Sequence, residues 1–60
     1  MYTVRQIRAG LGYNQAQMAK ALGIHLNTYR NKESNKSQWT VKEAAMIAKL
    51  AGQPMEAIKF

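Results

Sequence analysis

Residues 14–33, NQAQMAKALGIHLNTYRNKE, read as two short helices joined by a tight turn. Asn14 is a favoured N-cap, and Gln17 stands three residues on, where a capping box takes Glu or Gln. Met18, Ala19 and Leu22 then recur at helical spacing, so one face of Gln15–Leu22 can be buried. Gly23 follows at once and tolerates the positive φ that a sharp exit needs. Ile24 supplies an apolar anchor in the turn. A second helix is predicted over residues 25–32. Helix, short glycine-bearing turn and helix make a helix-turn-helix unit.

The rest of the chain continues in the same style. Thr3-Val4-Arg5-Gln6 is another capping box, with Val4, Ile7 and Leu11 on one face behind it, and Gly10 and Gly12 mark the exit of that helix. Tyr13 precedes the Asn14 cap, where an apolar residue can staple the next helix. Thr40-Val41-Lys42-Glu43 is a third box. It opens a helix to about Ala51, apolar at Val41, Ala44, Ala45, Ile47, Ala48 and Leu50 or Ala51, with Gly52 as its stop. Pro54 suits the first position of a last short helix. Met55 and Ile58, at i and i+3, are expected to close the core with Phe60 beside them, and Met18 and Met55 read as core filler. The fold class is therefore all-α, a compact five-helix bundle forming one domain over residues 1–60.

Composition narrows the class. The chain has 60 residues, no Cys, and a formal charge of +6 from nine basic residues against three acids. A domain this small buries only about 60% of its unfolded surface, and without Cys it has neither disulfides nor a thiolate zinc site to help it. Helical packing or dimerisation has to suffice. The acids are Glu33, Glu43 and Glu56. That imbalance points to a polyanion, with a merely solvated basic surface or an anionic membrane as the bland alternatives. No apolar run approaches the ~20 residues of a membrane span, no secretion signal is evident, and a cytoplasmic location is expected.

The register of Gln15, Ala19, Leu22-Gly23-Ile24, Thr28 and Glu33 resembles the Cro/C1-type helix-turn-helix family, the phage-repressor or XRE-like DNA-binding domains. The likeness covers almost the whole chain. It implies a bundle of the lambda-repressor-like type and sequence-specific binding of double-stranded DNA by a small phage-type transcriptional regulator, with helix 25–32 in the major groove. The implied assembly is a homodimer, at least on DNA, on two half-sites about 34 Å apart. The segment from Met55 to Phe60 is the candidate dimer surface. A protein-interaction module, such as the antitoxin partner of a toxin, is the alternative.

Within that frame the helical wheel places Tyr29 toward the core and Asn27, Arg30 and Asn31 on the other side. Asparagine can pair bidentately with adenine in the major groove, and the matching family positions read bases, so Leu26, Asn27 and Asn31 are the candidates for base edges. Leu26 has no hydrogen-bonding head; it can touch a thymine methyl or cover backbone. The backbone candidates are Gln15, in a first helical turn whose free N–H groups favour an anion, together with His25, Thr28, Arg30, Lys36 and Lys42. Thr28 can reach a phosphate or bond back into its helix. Lys42 opposes the dipole of its own helix, which a phosphate would relieve.

Arg8 falls near the core face of the first helix, and a buried Arg needs a partner. The resemblance implies an ion pair with Glu33, tying the first helix to the third. Four positions depart from the family pattern. His25 replaces a Ser/Thr cap, Lys32 a large apolar residue, Asn35 a glycine and Trp39 a proline. Asn is the next best residue for a left-handed helix exit. Trp39 is expected to pack on the core, with a lie against a sugar-phosphate strand as the other reading.

Enzyme chemistry finds no support. One His and three scattered Glu offer no tuned acid–base pair, no Ser–His–acid set can form, and no glycine-rich phosphate loop follows a strand. A lone His without Cys or a nearby acid does not suggest a metal, and no cofactor is expected.

Overall fold

A computed structural model describes all of residues 1–60. The order of elements is β1 (Tyr2–Thr3), α1 (Val4–Gly10), α2 (Gln15–Leu22), α3 (Leu26–Glu33), α4 (Val41–Ala51), a 3₁₀ turn (Met55–Ala57) and β2 (Ile58–Lys59). Local chemistry accounts for the helix starts. Thr3, Asn14 and Thr40 each accept from the backbone N–H three residues on, and Gln6, Gln17 and Glu43 return the bond. Such boxes satisfy two otherwise orphaned donors at each start. His25 caps α3 only with its backbone, because its side chain makes no capping bond. That helix therefore begins at Leu26 and runs one residue further than expected, to Glu33. Gly23 (φ +72°) and Gly52 (φ +65°) end α2 and α4 in the left-handed region, and Asn35 (φ +68°) is the one non-glycine residue there.

One core holds these elements together. Val4, Ile7, Met18, Ala19, Leu22, Tyr29, Ile47, Ala48 and Ile58 form it, with Leu11, Tyr13, Ile24 and Trp39 packed against it. Tyr29, Met18 and Ile47 are the largest fully buried side chains, and burying each such residue stabilises by about 1.5–3 kcal/mol. Tyr29 meets Trp39 edge to face at 5.7 Å, so Trp39 packs on the core.

The structure has four α-helices, and the expected fifth is a single three-residue 3₁₀ turn. Three residues give too few hydrogen bonds to offset the cost of nucleating an α-helix. Ile58 leaves the turn in an extended conformation (φ −114°, ψ 132°) and pairs in parallel with Tyr2, while Lys59 pairs with Thr3. Because the chain turns extended at Ile58, the i, i+3 relation with Met55 no longer defines a common face. Ile58 is 3% exposed, whereas Met55 and Phe60 are each 40% exposed and close no core. Val41 and Ala45 also lie outside, Val41 at the very start of α4 and Ala45 beyond the arc that buries Ala44, Ile47 and Ala48.

Candidate nucleic-acid interface

α3 is pinned by its inner side and free on its outer side. Tyr29 is wholly buried, whereas Asn27, Thr28, Arg30 and Asn31 are exposed and Leu26 is half-buried. Asn27 and Asn31 are one helical turn apart, so their amides lie side by side on the outer face. Neither amide is engaged by another side chain, and the Thr28 hydroxyl makes no bond back into the helix; the only polar links α3 side chains make run from Tyr29, Arg30, Lys32 and Glu33. His25, Lys36 and Lys42 are likewise exposed and unbonded at their side chains. The groups free to meet a ligand are thus two amides, a hydroxyl, an imidazole and two ammonium groups.

A carboxylate fixes the position of this face. Glu33, with a side chain 4% exposed, accepts from Arg8 Nε at 2.8 Å and Nη2 at 3.4 Å, from Gln15 Nε2 at 3.0 Å and from the Tyr29 hydroxyl. Arg8 Nη1 also donates to the Tyr13 carbonyl at 3.0 Å. One side chain therefore joins α1, α2 and α3. Burial pushes the Glu33 carboxyl upward, but the bonds from Arg8, Tyr29 and Gln15 outweigh it, so the group sits below the usual carboxylate range. Its presence in turn holds the Arg8 guanidinium more firmly charged. Burial first, then Glu33, pushes the Tyr29 phenol well above its ordinary range, so it stays a donor.

Gln15 stands between this buried network and the surface. Its amide nitrogen faces Glu33, and its Oε1 accepts from Arg30 Nε at 3.3 Å. The structure so brings Arg8, Glu33, Gln15 and Arg30 into one connected set, with the second amide hydrogen of Gln15 still free. That Arg30 and Gln15 touch was not read from the sequence. They are fifteen residues apart, and no spacing rule links them.

A second buried pair also escaped sequence reasoning. Lys32 Nζ bonds Glu43 Oε1, each side chain being 11% exposed. The ammonium lies 5.9 Å from the centre of the Trp39 ring. Burial raises the Glu43 carboxyl, and the bonds from Lys32 and Thr40 more than reverse this. A signal for the pair was present. Lys32 is three residues after Tyr29, on the inner side of α3, and a lysine there requires an acid.

No three His, Asp or Glu side chains are gathered where a metal could sit, and no helix is long and apolar enough to cross a membrane. Comparison with models of known families matches residues 4–58 to a family described as helix-turn-helix. No curated protein and no solved structure matches the chain.

Proposed function

Because this chain belongs to the Cro/C1-type helix-turn-helix family of DNA-binding regulators, we propose that it binds double-stranded DNA sequence-specifically as a small phage-type transcriptional regulator. α3 enters the major groove. Leu26, Asn27 and Asn31 meet base edges, the amides by hydrogen bonds and Leu26 by apolar contact. Gln15, His25, Thr28, Arg30, Lys36 and Lys42 meet the phosphate backbone, which sets register and orientation. The observation that carries this reading is the pair of exposed, unengaged amides of Asn27 and Asn31, opposite a Tyr29 that is wholly buried.

The charge of +6 supports the same partner, because basic side chains that displace counterions supply most of the non-specific affinity for a duplex. Residues 1–60 act as one domain, and a single module of this size buries a small interface. Specific binding therefore uses two copies on half-sites about one helical turn apart. Met55 and Phe60, exposed beside Val41, give an apolar surface for that pairing. The site of action is the cytoplasm. Selection from a random duplex library tests the reading. An enriched motif with two similar halves is expected, and the absence of enrichment together with the absence of any mobility shift would overturn it.

A further inference from the structure

Three helices of this chain open on a capping box, and two of them close it with glutamine, Gln6 at α1 and Gln17 at α2. Only α4 closes it with a glutamate, Glu43. An amide is enough to return the bond to the N-cap N–H, so the charge on Glu43 answers to something else. The group it answers is Lys32. The same Oε1 that accepts the Thr40 N–H at 2.9 Å also takes the Lys32 ammonium. This ion pair is the one side-chain bond between α3 and α4.

Between those helices runs the loop of residues 34–40. Its near side is tied to α3, where the Asn31 carbonyl accepts from the N–H groups of Lys36 at 2.8 Å and Ser37 at 3.3 Å and from the Ser34 hydroxyl at 3.2 Å. Its far side ends in Trp39, whose ring lies under the Lys32 ammonium, and Thr40, whose N–H donates to Glu43. Lys36 stands in the loop, and Lys42 immediately precedes Glu43.

We propose that Glu43 is a positioning residue for DNA backbone contact. With Lys32 it latches the first turn of α4 to the end of α3, and so fixes the separation at which Lys36 and Lys42 meet phosphates. The latch rests on the DNA-binding reading above. Net charge alone gives the opposite expectation, because removing a carboxylate from a chain of charge +6 makes it a better polyanion binder.

The test is the salt dependence of affinity for a random-sequence duplex. Glu43→Gln keeps the capping bond and removes only the charge. Its log–log salt slope should become shallower by up to about 1.8, about 0.9 for each of two phosphate contacts. Lys32→Met removes the other half of the pair and changes net charge the other way, yet should show the same loss. In a Lys36→Ala, Lys42→Ala background, Glu43→Gln should remove nothing more, the mark of coupled positions. Circular dichroism establishes that each variant is folded, and should Glu43→Gln unfold, Lys32→Met in the double-lysine background decides, since there too loss of the latch removes nothing more. An unchanged or steeper slope in the folded variants, or a full further loss in the double-lysine background, overturns the latch and leaves DNA binding intact. A wild-type protein that binds no duplex overturns the functional reading, and the latch with it.

Discussion

Arg8 Nε lies 2.8 Å from Glu33 Oε2, and this contact joins the first helix of the chain to the last residue of the third. The carboxylate is also bonded by Gln15 and Tyr29, so all three helices around the proposed interface converge on it. A buried ion pair by itself is weak ground for stability, because desolvation offsets most of its attraction. Removing one partner is another matter, since a charge is then left buried and alone.

Glu33→Ala should therefore destabilise by about 3–5 kcal/mol, the usual cost of breaking a buried pair from one side. A domain of this length has only about 3–9 kcal/mol in all. A thermal melt followed by circular dichroism should show a fall of at least about 12 °C, taking about 4 °C per kcal/mol for a small domain. A melt that coincided with wild type would mean that Arg8 and Glu33 are not coupled in solution.

Acid should weaken the fold through the same groups. Glu33 and Glu43 both titrate below the usual range in the folded state. The unfolded chain therefore binds protons first as pH falls. The stabilisation is fully present above the ordinary carboxylate range, about 4.3, and is lost as pH drops through the lowered folded values. Urea midpoints should hold steady from pH 7 to 5 and fall below that. Glu43→Gln should flatten part of the fall, and equal midpoints at pH 7 and pH 3 would contradict the assignment.

Asn31→Ala should cost about 1–3 kcal/mol on the selected site and relax preference at one base position. The measurement is a binding titration against the selected duplex and a scrambled one. The same loss on both would show that the Asn31 amide contacts the DNA backbone and reads no base.

Asn35→Ala tests the exit of α3. At φ +68°, an alanine Cβ costs about 1–2 kcal/mol, so the melt should shift down by about 4–16 °C. Asn35→Gly should not show that loss, and a destabilised glycine variant would refute the role of backbone conformation here.

Helix positions were legible in the sequence because local chemistry dictates them. Three capping boxes and the stops at Gly23 and Gly52 need no distant partner, and each is found in the structure. The fifth helix was not legible. Pro54 marks a start, but the fate of Ile58 depends on Tyr2, far away in sequence, which offers it a parallel neighbour. The candidate interface divides in the same way. The outward aim of Asn27 and Asn31 follows from helical periodicity with Tyr29 inside. The link between Gln15 and Arg30, and the pairing of Lys32 with Glu43, arise only when separate helices are brought together. Lys32 looked like a gap in the core pattern. It sits at the core's edge, its ammonium over the Trp39 ring and its charge neutralised by Glu43.

The short ladder of Tyr2–Thr3 on Ile58–Lys59 sets two segments far apart in sequence edge to edge. Each strand has the other as its one neighbour, so opening one opens both. Amide protons in the two strands should show a common protection against exchange with deuterium, although the strands stand far apart in sequence.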